Sequence, residues 1–251
     1  NVANLRIETK PVTAAAWERD RIRTKEWLSW VDRRSPDNPF CGFLFVDATN
    51  DLRYPPEYAG RVAVNTEDAM ATRFAEYKTS VMFVDGLIGQ VIDDLDDRGL
   101  AENTVIIVTS DHGEEFNENG DGIQGHGSGY SHRQLGVPML VAWPGMAPRQ
   151  LSHRTSHYDV VPTLMRRLLG CRNDYSDYSI GTDLYDGPQW DWLIAGSYYN
   201  YAVLEPGQIT LTFPNGTYEV RDENYRIKEN PQFSGEVLEA VMRENTRFYK
   251  R

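Results

Sequence analysis

The run Thr104-Val-Ile-Ile-Val-Thr-Ser-Asp111-His112-Gly113-Glu114-Glu115-Phe116, followed by Gly125-His126-Gly127, decides how this chain is read. An apolar, β-branched stretch of strand length ends in Ser-Asp-His-Gly, where direction and chemistry both change. In an open α/β sheet, ligands collect beyond the carboxyl ends of the strands, so Asp111 and His112 stand where a site is built. Asp offers a hard oxygen and His a borderline nitrogen, a pair suited to Zn²⁺ or Mn²⁺ more than to Ca²⁺. The same residues also suit a plain Asp-His-Gly turn. Two further features weigh toward function. All five histidines (His112, His126, His132, His153 and His157) fall within 112–157. The connection from Ser110 to the next apolar run, Val137-Pro-Met-Leu-Val-Ala-Trp143, is long and rich in Gly and charge, as functional loops are.

Outward from this stretch the pattern alternates. Met70, Phe74, Tyr77, Val81, Val84, Ile88, Val91 and Leu95 recur at intervals of three and four, which predicts a helix over 67–98 with Gly99 as its stop. Strands follow at 104–110 and 137–142, then a helix from Asp159 to Leu169 stopped by Gly170. Helix and strand in alternation predict βαβ units and parallel packing. Upstream, Trp17, Ile22, Trp27, Leu28 and Trp30 mark an amphipathic helix from Thr13 to about Arg33, with Thr13 as a candidate N-cap. Phe43-Leu-Phe-Val-Asp47 reads as a strand buried on both faces, with Cys41 a buried free thiol beside it. Asp47 and Asp51 read as turn residues. From about Asp191 the pattern becomes short strands (192–196, 198–204, 208–213, 217–221) divided by Pro-Gly and Pro-Asn-Gly turns, closed by a helix over 234–250. Asn215-Gly-Thr217 fits the glycosylation pattern and also a tight turn.

The chain has 251 residues and a net charge of −11. That charge argues against nucleic acid, whose phosphates demand a basic surface, and gives no polybasic patch for anionic lipid. No run is long enough for a transmembrane helix, and the start at Asn1 without Met reads as a fragment. Cys41 and Cys171 decide nothing about compartment.

Ser110-Asp-His-Gly-Glu-Glu-Phe116, Gly125-His-Gly127 and Val137-Pro-Met-Leu…Trp143-Pro-Gly145 together resemble the sulfatase branch of the alkaline phosphatase superfamily. That branch includes arylsulfatases, lipoteichoic acid synthases and phosphoethanolamine transferases. Tyr77-Lys-Thr-Ser-Val-Met-Phe-Val-Asp-Gly-Leu-Ile-Gly89 and His157-Tyr-Asp-Val-Val-Pro-Thr-Leu-Met165 support the likeness, which covers the chain from about Trp27 onward. It extends to the periplasmic domains of inner-membrane sulfatase-like proteins, which this chain resembles.

The resemblance implies an α/β fold of the alkaline phosphatase–sulfatase type: a mostly parallel sheet flanked by helices over 1–190, then a small antiparallel β subdomain and terminal helix over 191–251. It implies that Asp111 and His112 are ligands of a divalent metal (Zn, Mn or Mg), and that His126 is catalytic, contacting an ester's non-bridging oxygens or leaving group. His132 and Asn50 are weaker substrate-binding candidates; Asn50 stands where arylsulfatase-like relatives often place a histidine. His157 is expected to cap a helix. Glu114 and Glu115 are read either as acceptors behind His112 or as two exposed glutamates at a turn. The superfamily's nucleophile and its first acidic ligand have no counterpart in residues 1–60.

Two functions follow as expectations. One is part of a membrane-anchored, metal-dependent hydrolase or transferase of sulfate or phosphate esters, in the periplasm and attached through a segment outside this chain. The other is a catalytically inactive sulfatase-like module that binds acidic lipid or lipopolysaccharide in envelope regulation.

Overall fold

The computed structural model of the chain describes residues 14–187, 190–197, 199–232 and 234–247. They fall into two compact units. One takes the described residues of Asn1–Ser110, Glu114–Gln124 and Pro138–Met146, the other those of Asp111–Gly113, Gly125–Val137 and Ala147–Arg251.

In the first unit, α1 (Ala16–Arg33) and α2 (Ala69–Asp97) are the long elements. Thr13 lies outside the described residues. At the described start of α1, the Glu18 carboxylate accepts from the Ala15 N–H at 3.1 Å. Asp68 caps α2, accepting from the N–H groups of Met70 and Ala71, and Gly99 takes a φ of +65° beyond the other end, as a helix stop requires. The apolar face of α2 buries Phe83, Val84 and Leu87 with Ala48, and Trp17, Tyr54 and Tyr58 close over them. Phe74 and Tyr77 set their rings 5.1 and 5.3 Å from Phe116, which fastens the short strand β2 (Glu115–Phe116) to the helix.

β1 (Ile106–Thr109) carries the decisive stretch and pairs with β4 (Met139–Ala142), Ile106 opposite Ala142 and Thr109 opposite Met139. This pair runs antiparallel, where the alternation of elements predicts parallel. The cause is the connection. A parallel neighbour needs a crossover that returns the chain to the strand's other end, usually through a helix. The connection from 110 to 138 holds only the strands β2 and β3 (Gln124–Gly125) and the four-residue helix α3 (His132–Leu135).

Residues 41–47 depart further from expectation. They are extended but lie in no named strand; Phe43 is 88 % exposed, and Cys41 is an exposed free thiol. What orders this segment is aromatic packing. Gly42 lies flat on the Trp27 ring, where any side chain would collide, and Phe40 meets Trp27 and Trp30 edge-on. A run of apolar residues can signal contact with rings as readily as a place in a sheet.

In the second unit, α4 (Val160–Arg167) follows a single 3₁₀ turn, His157–Asp159. Four strands form a meander in sequence order: β5 (Leu193–Gly196), β6 (Tyr201–Glu205), β7 (Gln208–Thr212) and β8 (Tyr218–Arg221). All three pairings are antiparallel, as the turn residues predict. Gly207 and Gly216 sit at φ +76° and +82° in the Pro-Gly and Pro-Asn-Gly turns, where a side chain would be strained. α5 (Gly235–Thr246) is capped by Ser234, which accepts from the Val237 N–H.

A buried carboxylate organises each unit. In the first, Asp20 is fully buried and one of its oxygens accepts from the N–H groups of Asp47 and Ala48 at 2.8 and 2.7 Å, fixing the turn after residue 46. Burial raises the Asp20 pKa above its ordinary value of 3.8, although both N–H bonds and Arg23 oppose the rise. Asp20→Ala should leave the buried Ala48 N–H and the partly buried Asp47 N–H without an acceptor and destabilise the chain by roughly 1–3 kcal/mol for the buried one and less for the other, read as a lower urea midpoint. Because the folded-state pKa is raised, the contribution of Asp20 is complete below pH 3.8 and diminishes as pH rises through the folded value. The stability of the wild type relative to Asp20→Asn should therefore fall over that interval; a pH-independent difference would refute the assignment.

Candidate functional site

β1 delivers the chain to Ser110, and Asp111-His112-Gly113 turns away from it. Asp111 accepts from the His112 N–H at 3.1 Å, and His112 Nε2 lies 3.8 Å from Asp111 Oδ1. Two ligands of one ion stand no farther apart than about 4.2 Å, twice a metal–ligand bond of ~2.1 Å. The Asp111–His112 separation satisfies that limit. His112 Nδ1 lies 3.0 Å from the Gly113 carbonyl. Donation from Nδ1–H to that oxygen belongs to the tautomer whose lone pair is on Nε2, the usual support behind a metal-binding histidine.

His126, remote in sequence, is brought onto this turn. Its ring stacks on His112 with centroids 4.1 Å apart and planes 20° apart, and one nitrogen of each ring lies within 4.8 Å of the other. His112, half-buried, thus has the exposed Asp111 carboxylate on its own turn and the exposed His126 ring stacked on it. These donors, one carboxylate and two imidazoles, match the preference of Zn²⁺ and related ions. They number one fewer than a closed tetrahedral site needs.

The other candidates have surroundings of their own. His132 lies over its own turn, its ring filling the space where Gly136 has no side chain. Asn50 is exposed in a turn of the first unit, its N–H bonded to the Asp47 carbonyl. Asp47 in that turn is ion-paired with Arg19 at 2.8 Å. His157 is exposed; the cap expected of it is made by its neighbours, since Ser156 accepts from the Tyr158 N–H and Asp159 accepts from the Ser156 N–H. Glu114 and Glu115 are not an exposed pair: Glu115 is fully buried and Glu114 partly so.

Sequence reading missed the residues that hold the site. Gly113 fits flat against the Arg133–Gln134 backbone, and its N–H donates to the Gln134 carbonyl at 2.8 Å. Gly129 lies on the ring of Tyr225. Tyr130, buried, donates to the carbonyl and side-chain oxygens of Asn200, both at 2.8 Å. The residues between β5 and β6 and after β8 thereby back the loop that carries His126. Asp159, the buried carboxylate of this unit, takes N–H donors from Ser156, Thr182 and the Trp190 indole at 2.7–2.8 Å. Only the small residues Gly113 and Gly129 carried a signal in the sequence, and it was shared with many other glycines.

The sulfatase family model matches residues 8–170. The inner membrane protein YejM of Salmonella typhimurium is 29 % identical over 243 residues, which cover 94 % of this chain and 37 % of that protein. The chain therefore spans little more than a third of that relative. The phosphonate monoester hydrolase of Agrobacterium radiobacter superposes with a TM-score of 0.67 at 17 % identity, over 94 % of this chain and 61 % of that one. A protein in the alkaline phosphatase superfamily from Vibrio parahaemolyticus superposes with a TM-score of 0.59 at 17 % identity, over 97 % and 59 %. The fold is the α/β fold of the alkaline phosphatase–sulfatase type. Among the described residues, no helix is long and apolar enough to cross a membrane.

The fit of Gly113 gives a test. A methyl group there would overlap the Arg133 carbonyl oxygen, which belongs to backbone and has little room to yield. Gly113→Ala should cost about 1–3 kcal/mol, as overpacking does, and should shift the NMR signals of the His112 and His126 rings. An unchanged melting temperature with unchanged ring signals would show that the close approach does not hold the turn.

Proposed function

The chain is a member of the sulfatase family, and on that premise we propose that the protein it belongs to is a metal-dependent hydrolase or transferase of sulfate or phosphate esters. The observation that supports this is the stacked His112–His126 pair with Asp111 beside His112, donors brought together from two loops. Asp111 and His112 would hold Zn²⁺, Mn²⁺ or Mg²⁺. The bound ion would supply Lewis acidity toward a sulfuryl or phosphoryl oxygen. His126, exposed beside the His112 ring, would hydrogen-bond the non-bridging oxygens of the ester or protonate the departing oxygen. His132 and Asn50 are proposed as weaker substrate contacts from their own turns.

Residues 1–190 form the α/β part and 191–251 its small β subdomain. The name of the Salmonella relative supports an inner-membrane protein, with this domain on the periplasmic side and the membrane segment elsewhere in the polypeptide. No serine, threonine or cysteine in residues 1–60 resembles the family's nucleophile, so the 251-residue chain by itself should be catalytically silent.

Titration calorimetry with Zn²⁺, Mn²⁺ and Mg²⁺ tests the site. The wild-type chain should bind one equivalent of at least one ion, and Asp111→Ala and His112→Ala should each abolish binding while the far-ultraviolet circular dichroism stays unchanged. In the whole protein, the same substitutions and His126→Ala should remove hydrolysis of aryl sulfate and aryl phosphate esters. If the whole protein takes up none of the three ions and binds lipopolysaccharide without turnover, the ester reading fails and the lipid-binding one replaces it.

A further inference from the structure

The two loops that carry His112 and His126 meet at one buried residue, Gln134, and the resemblance to known families assigns it nothing. Its backbone carbonyl accepts from the Gly113 N–H at 2.8 Å, next to His112. Its side chain serves the other loop: Oε1 accepts from the Gly129 N–H at 3.2 Å, and Nε2 donates to Ser128 Oγ at 3.1 Å. Gln134 is 2 % exposed, so these bonds are sheltered from competing water. Its own backbone is fixed in turn, because its N–H donates to the carbonyl of Ser131, itself buried.

The loop needs such a fastening. Gly125, Gly127 and Gly129 flank and interleave His126 and Ser128, and glycine leaves the backbone with more freedom than any other residue. Gly125 and Gly127 already occupy φ of +83° and +67°. An exposed histidine on a glycine-rich loop does not hold a ring stack by itself. The loop must be pinned close to the ring, and the Gln134 side chain pins it two and three residues beyond His126.

We propose that Gln134 is the positioning residue of the site: through its carbonyl and its amide it locks the His112 turn and the His126 loop into the register in which the two imidazoles stack. It touches neither substrate nor ion and acts through Gly113, Ser128 and Gly129. In its consequence for metal affinity this rests on the proposed function above; in its consequence for the ring stack it does not.

The experiment compares the wild-type chain with Gln134→Leu, Gln134→Glu and Ser128→Ala by ¹⁵N and imidazole NMR, with Zn²⁺ and Mn²⁺ titrations alongside. In the wild type, the Gly129 amide should be protected from exchange, and the His112 and His126 ring protons should show cross-relaxation. Gln134→Leu, of similar bulk without the amide, should speed Gly129 exchange about tenfold or more, as for loss of a buried hydrogen bond. The ring cross-peaks should vanish, and metal affinity should fall about tenfold to a hundredfold, as when the support of a ligand is removed. Gln134→Glu keeps an acceptor for the Gly129 N–H and can accept from the Ser128 hydroxyl, so the ring cross-peaks should return. Ser128 is exposed, and Ser128→Ala should loosen the loop without risk to the fold if Gln134→Leu fails to fold. Rapid Gly129 exchange in the wild type, or ring cross-peaks that survive Gln134→Leu or that are as strong in Ser128→Ala as in the wild type, would overturn the proposal. A wild type that binds no ion but shows these NMR responses would leave the positioning role standing and remove the metal reading.

Discussion

The site depends on a contact between two stretches of backbone. Gly113 can approach the Arg133–Gln134 peptide only because it has no side chain, and the approach is sealed by its N–H bond to the Gln134 carbonyl. That closeness places His112 against the segment that also holds the loop of His126. With a larger residue at 113 the turn would stand off from 133–134, and the two imidazoles would have no common frame. A glycine that reads in sequence as part of a turn is thus a packing requirement between remote segments.

The same economy appears in the buried carboxylates. Asp20 and Asp159 each gather N–H donors from residues distant in the chain, Asp47 and Ala48 in one unit, Thr182 and the Trp190 indole in the other. A buried carboxylate is costly unless its lone pairs are filled, and filling them with backbone donors satisfies loops that have no ladder to join. Asp183 offers a contrast. Burial pushes its carboxyl upward, but the Arg167 guanidinium at 2.6 Å, together with the Tyr185 N–H, carries it below the ordinary value. Asp183 therefore contributes stability above the usual carboxylate range that is lost as pH falls through its lowered pKa, opposite in sign to Asp20.

The C-terminal meander has a part in the site beyond filling out the fold. Tyr130 reaches Asn200 between β5 and β6, and Tyr225 after β8 lies under Gly129. Tyr225 holds a φ of +64°, uncommon for a bulky residue, and burial raises its hydroxyl pKa. Such a conformation persists only where surrounding contacts impose it. Here the Arg221 guanidinium bonds the Tyr225 carbonyl at 2.9 Å and packs over its ring.

By itself the sequence determined the features that depend on local chemistry. Periodicity at three and four residues, with Asp68 before it and Gly99 after it, placed α2; Pro-Gly and Pro-Asn-Gly between short β-branched runs placed the meander; the Asp-His-Gly block after an apolar strand pointed to the family. These signals are local because helix caps and tight turns are satisfied within a few residues. Tertiary structure decided the rest. The antiparallel sense of β1 and β4 follows from what the connection contains, and the exposure of residues 41–47 from where the Trp27 ring lies. The stacking of His126 on His112 follows from Gln134, one polar residue in Ser131-His-Arg-Gln-Leu135 with no pattern to set it apart. A hydrogen bond between residues close in space but separated in sequence leaves no periodic trace, so only the folded chain reveals which amide holds which loop.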